Sequence, residues 1–165
     1  MPESFEIMYV VNDNDEVVGS ALREDIYAKK LQHRIVHVLI FNDLGEMVLQ
    51  LRSRNKSFCP HHWSTAVGGH VLSGESYEQA ALRESEEEIG VRLPVRFAHK
   101  DVYRDPRGFN KFLVTYTARY NGPFAVGPEE VERAEYFSLE KIKEMVASGE
   151  KFHPELLFLL KKHYS

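Results

Sequence analysis

Thiols are almost absent: Cys59 is the only cysteine in 165 residues, which excludes an internal disulfide framework and any zinc site built on paired thiolates. That scarcity fits a reducing compartment. Long apolar runs are missing too. VHVLIF at 36–41 and LLFLL at 156–160 are the longest, far short of the roughly 20 residues of a membrane-spanning helix. The N-terminal MPESFEIMYV lacks a basic segment followed by an apolar stretch. Positive charge is in deficit, with 21 Lys and Arg against 25 Asp and Glu and a formal net charge of −4. Nothing global attracts a nucleic-acid polymer or an anionic membrane, so any phosphate recognition is local or metal-mediated. The expectation is a cytoplasmic protein without membrane or nucleic-acid partners.

Hydrophobic residues make up 43% of the chain, enough for one domain, 1–165, with a real core. No internal repeat or low-complexity segment interrupts it, and the turn signals NDND (12–15), NDLG (42–45), NGP (121–123) and GP (127–128) mark many short elements. MYVV and EVVGSA read as a hairpin and REDIYAKKLQ as a short helix. The run IVHVLIF reads as a strand with MVLQLR as its partner across the Asp-Leu-Gly turn. VRFAHKDVYR and KFLVTYTARY read as an antiparallel pair joined by DPRGFN. SLEKIKEMVAS has a serine N-cap, and Pro154 opens a C-terminal helix over 154–165. Helices among strands predict an α/β sandwich around a mixed sheet.

The segment GHVLSGESYEQAALRESEEEIGV, 69–91, places Glu84, Glu86, Glu87 and Glu88 at the C-terminal end of a helix, where the dipole is already negative. At about 100° per residue, Glu84, Glu87 and Glu88 converge while Glu86 points away. Ala81, Leu82, Ser85 and Ile89 face the core, leaving an acidic edge exposed along a cleft. Arg83, four residues before Glu87, is placed to pair with it. Hard oxygen ligands without a thiolate favour Mg²⁺ or Mn²⁺, and Mg²⁺ shares its remaining positions with substrate phosphates.

The order Gly69, Glu75, Arg83-Glu84, Glu87-Glu88, Gly90-Val91 resembles the Nudix box GX5EX7REUXEEXGU, with Ser85 at a site where the family has a bulky aliphatic residue. The flank from Arg34 through Trp63, with LQLRSRNKSFCPHHW, looks like the subgroup of YfcD-like Nudix hydrolases and isopentenyl diphosphate isomerase. The resemblance implies a Nudix-type α/β/α sandwich around a mixed β-sheet, preceded by an extension over 1–33. It implies that Glu84, Glu87 and Glu88 bind divalent cations, with the carbonyl of Gly68 or Gly69 adding a ligand, and that Glu75 supports the loop through Arg83. Arg52 and Lys56 would clamp a diphosphate, as basic residues of the similar stretch do in the isomerase.

The reaction implied is hydrolysis of a diphosphate linkage in a nucleoside diphosphate derivative or a similar small molecule. Glu87 and Glu88 belong to the catalytic set. Glu129, Glu130 and Glu132 are loop candidates for the base, of which Glu130 is carried forward. The alternatives are isomerase chemistry and a non-catalytic nucleotide-binding protein. The isomerase needs a cysteine before Gly-His, where this chain has Gly68, and an acid that aligns near Lys111. Trp63 reads as a core anchor and Cys59 as a loop thiol. His61, His62 and His70 match no zinc spacing, while His33 and His37 read as core-edge donors. Ser85 needs a partner, for which the carbonyl of Ala81 is in reach.

Overall fold

The computed structural model describes residues 5–165, so the first four residues of the expected extension lie outside the described residues. The chain opens with a hairpin, β1 (Ile7–Val11) and β2 (Val17–Leu22). Its turn is an Asx turn in which the Asn12 side-chain oxygen accepts from the amides of Asn14 and Glu16. The short helix α1 (Arg23–Ala28) follows, then β3 (His33–Phe41), β4 (Met47–Arg52), β5 (Trp63–Thr65) and β6 (Val67–His70). The long helix α2 (Tyr77–Ile89) precedes β7 (Arg96–Asp105), β8 (Phe109–Arg119) and β9 (Val131–Phe137). Helices α3 (Leu139–Ala147) and α4 (Pro154–His163) close the chain.

Strand β3 is buried on both faces, as its near-continuous apolar run requires. It lies parallel to β8, from His33↔Lys111 to Phe41↔Arg119, and β7 extends the sheet antiparallel to β8. Side chains alternate along β3 and β4. Val36, Val38, Ile40 and Val48 pack with Ala80, Ala81 and Ile89, while Leu39, Met47, Leu49 and Leu51 pack with Ile142, Met145 and Leu156. One layer of the sheet thus carries α2 and the other α3 and α4, giving the α/β/α sandwich around a mixed sheet. Trp63 is buried in the second cluster, edge-on to Phe137 at 5.2 Å. No described helix is long and apolar enough to cross a membrane.

The expected β3–β4 partnership is confined to its hairpin end, Phe41↔Met47. Farther on, β6 takes the place beside β3, from Ile35↔His70 to Val38↔Val67, and β4 pairs with β5 and β9 instead. Gly68 permits this insertion: a Cβ there would stand 3.0 Å from His37 Nδ1 and 3.3 Å from Thr65 Oγ1. The strands part around β6, and a cavity of about 1200 Å³ opens between them.

Candidate active site

Helix α2 starts at a capping box. The Ser76 hydroxyl accepts from the Gln79 amide at 3.1 Å, and the Gln79 side chain accepts from the Ser76 amide at 2.9 Å. It ends at Gly90, whose φ of 71° is left-handed. Beyond it the β8–β9 loop folds back, so that Ala125 and Gly127 amides donate to the carbonyls of Ile89 and Glu88. These bonds satisfy the helix's negative end and hold the loop against it. Ser85 donates to the Ala81 carbonyl at 2.7 Å, the partner its burial calls for.

Arg83 is the hub of the acidic helix. Its Nε and Nη2 donate to both Glu75 oxygens at 2.7 and 3.0 Å, and Nη2 also reaches the His70 carbonyl at 3.1 Å. Its Nη1 donates to Glu84 at 2.9 Å and to Glu87 at 3.3 Å. Glu75 also accepts from the Leu72 amide, pinning the loop before the helix. Both expected partnerships of Arg83, with Glu75 and with Glu87, form.

The acidic edge is not all exposed. Glu87 is half-exposed, but Glu84 and Glu88 are only 9% and 6% exposed, because β6 and the returning loop close over them. The Glu84 and Glu88 carboxyls lie close enough that the charge of each acts on the other. Burial pushes Glu84 up to about 7 and Glu88 well above the usual carboxylate range, and the two like charges oppose each other's ionisation. Gln50 donates to Glu88 at 2.6 Å, and the Gly68 amide lies 3.4 Å from the other oxygen. A Cβ on Gly69 would stand 2.4 Å from the Glu84 carboxyl, so only glycine lets this carboxyl lie on the strand. Among the described residues no three His, Cys, Asp or Glu side chains already form a cation cage; Glu84 and Glu88 face each other while Glu87 leans on Arg83.

The cavity beside these acids is lined by Arg52, Lys56 and Glu130 as well. Of the three loop acids only Glu130 lines it. Glu132 turns to His61 at 3.0 Å and Arg54 at 3.7 Å, and Glu129 is exposed. Glu130 pairs with Lys56 at 2.6 Å. The Nε and Nη2 of Arg52 donate to the carbonyls of Phe58 and Cys59, so this guanidinium shapes the loop after β4 while bordering the cavity. Arg54 does not share a strand face with Arg52, because the strand ends at Arg52 and Arg54 is 74% exposed. Cys59 is a half-buried loop thiol that burial pushes up.

The histidines divide. His61 joins Glu132 and His62 its neighbour Pro60, whereas His70 accepts or donates with Tyr27 at 2.7 Å. His37 lies deeper than a core edge, bridging Thr65 at 2.7 Å and Glu155 at 2.8 Å. Glu155 also binds Lys111 at 2.9 Å, and both are almost fully buried. Gln50, Glu155 and Tyr27 are cavity residues that the sequence reading missed. For Gln50 and Glu155 the signal was present: a polar residue inside the apolar run MVLQL and another beside the apolar run LLFLL.

The NUDIX domain family matches residues 31–159, and the chain belongs to this family of hydrolases acting on diphosphate bonds. An uncharacterized Nudix hydrolase of Streptomyces coelicolor is 40% identical over 133 residues, 79% of this chain and 74% of the relative. YfcD of Escherichia coli K12 is 30% identical over 155 residues, 93% and 84% of the two chains. A crystal structure from Deinococcus radiodurans superposes with a TM-score of 0.84 at 30% identity, covering 97% of this chain and 100% of that one.

Proposed function

We propose that the protein is a Mg²⁺-dependent hydrolase, with Mn²⁺ as an alternative ion, that cleaves a diphosphate linkage in a nucleoside diphosphate derivative or a similar small molecule. One observation carries the reading: two buried carboxylates, Glu84 and Glu88, stand together on a cavity wall, and among the described residues Arg83, on Glu84, is the cation paired with them. Burial disfavours a second negative charge on the pair, which a divalent cation would compensate, and their hard oxygens suit Mg²⁺. Glu84, Glu87 and Glu88, with the carbonyl of Gly68, are the proposed ligands.

When bound, the cation would neutralise phosphate charge and lower the pKa of an attacking water. The protein's own residues supply the rest. Arg83 orients Glu84 and Glu87, Gln50 fixes Glu88, and Lys56 and Arg52 border the space for the phosphates. Glu130, the cavity-lining loop acid, is the proposed proton acceptor, with Glu87 and Glu88 completing the catalytic set. Attack on phosphorus breaks the bridging P–O bond, yielding two phosphate-bearing products. We read the whole chain as one domain whose segment before His33 walls the cavity through Ile7, Arg23 and Tyr27. Gly68, without a thiol, and Lys111, a cation held by Glu155, both favour hydrolysis over isomerase chemistry.

A panel of nucleoside di- and triphosphates, dinucleoside polyphosphates, nucleotide sugars, NADH, ADP-ribose and coenzyme A, run with and without Mg²⁺ or Mn²⁺, tests the reading. Metal-dependent release of phosphate-bearing products is expected, with a loss of about a hundredfold or more in Glu88→Gln. Wild-type turnover in that variant, or binding without turnover across the panel, sinks it.

A further inference from the structure

The floor of the cavity beside Glu88 carries two oxygens that no other described residue uses. Gln50 on β4 and Ser64 on β5 are register partners, and residues directly opposite in an antiparallel pair share a face of the sheet. That face is turned to α2, since the Gln50 amide nitrogen reaches Glu88. Both residues line the cavity, yet they are only 3% and 5% exposed.

The Gln50 amide has one possible orientation. Its Nε2 donates to the Ala66 carbonyl at 3.1 Å as well as to Glu88 at 2.6 Å. A backbone carbonyl only accepts, so the nitrogen must face it, and both amide protons are committed. Among the described residues no donor meets the remaining atom, Oε1, and the Ser64 hydroxyl has no partner either. Neither is sealed in the core as His33 Nε2 and Thr115 Oγ1 are, so both open on the cavity. A nearly buried polar atom is as a rule paired with protein, water or ligand. Two of them side by side mark a place for a small polar ligand.

The proposed hydrolysis brings one such ligand to the Glu88 end of the cavity, the attacking water. Its two protons need acceptors if a lone pair is to face phosphorus. Glu130, on the same cavity, is the acceptor for one, and Gln50 Oε1 is open to the other.

We propose that Gln50 is a catalytic residue whose amide oxygen accepts a hydrogen bond from the attacking water, in the floor space shared with Ser64, while its amide nitrogen holds Glu88. The inference rests on the hydrolase reading. The water passes one proton to Glu130 and keeps its bond to Gln50. Its oxygen forms the new bond to phosphorus, and the bridging P–O bond breaks with its electron pair going to the departing phosphate. A planar amide bonded at both ends sets the water in a fixed place relative to the Glu88 carboxyl.

Two substitutions divide the roles. Gln50→Met keeps the side-chain length and removes both polar atoms, whereas Ser64→Val fills the floor beside Oε1 and leaves the bond to Glu88 in place. Calorimetric titration with Mn²⁺ and steady-state kinetics at saturating Mn²⁺ are measured on each, with circular dichroism as the control for folding. Gln50→Met is expected to weaken Mn²⁺ binding about tenfold and, once Mn²⁺ saturates, still to lower kcat about a hundredfold with KM within about twofold. Ser64→Val is expected to keep Mn²⁺ binding within about twofold and to lower kcat about tenfold. Full recovery of kcat by Gln50→Met at saturating Mn²⁺ reduces Gln50 to a support for Glu88 and overturns the proposal. Wild-type kcat in Ser64→Val overturns it as well, and decides alone if Gln50→Met does not fold. Both results leave the hydrolase reading standing, whereas a wild type without metal-dependent turnover overturns the two together.

Discussion

At the scale of single residues, close approach and burial set the chemistry. Gly69 is glycine because the Glu84 carboxyl occupies the space of its Cβ. Gly69→Ala is expected to push Glu84 aside and weaken Mn²⁺ binding about tenfold or more, with the fold intact by circular dichroism. Calorimetric titration with Mn²⁺ checks this. Ser85, the departure from the Nudix box, donates to a carbonyl that the helix already uses, so Ser85→Ala is expected to cost no more than about 1 kcal/mol by urea unfolding. The wheel separated the converging acids from Glu86, which is half-exposed and pairs with Arg92. It could not reveal that two of the three would be buried, since that depends on β6 and the β8–β9 loop.

At the scale of elements, α4 depends on an unusual cap. The Glu155 amide donates to His153 Nδ1 at 3.1 Å, which requires that nitrogen to be unprotonated. Burial pushes His153 down to about 4, and His33 to about 4 as well. Because these folded values lie below the ordinary histidine range, the unfolded chain takes up the protons first. The contribution of each histidine is therefore full above about pH 6.5 and falls as pH drops toward 4, by roughly 3 kcal/mol. Glu84 and Glu88, raised by burial, titrate with the opposite sign over the same range, so the histidine contribution is read by difference: between pH 7 and 4 the wild type is expected to lose about 3 kcal/mol relative to His153→Asn, which keeps a capping oxygen, in chemical denaturation. The serine cap of α3 and Pro154 in the first turn of α4 were legible in the sequence, as were the hairpin and the β7–β8 pair. The His153 cap was not, because its use follows from burial.

At the scale of the whole molecule, Glu155 ties α4 to two central strands, through His37 on β3 and Lys111 on β8. Removing one partner strands a buried charge, so Glu155→Ala is expected to cost about 3–5 kcal/mol, and Lys111→Met added to it to recover part of the loss. Urea unfolding of the two variants and the double variant measures the coupling. Hydrophobic periodicity, turn residues and the box spacing are local, and from them the sequence by itself determined the four helices, six of the nine described strands, the sandwich class and the family; β5, β6 and β9 were not read from it. Which strand lies beside β3 was decided only in three dimensions, because β6 could displace β4 only where Gly68 lets it meet His37. The same insertion lays Gly69 against the buried Glu84 carboxyl and brings His70 to Tyr27. Such groupings join residues far apart in sequence, and their energies come from packing and desolvation that no local pattern carries.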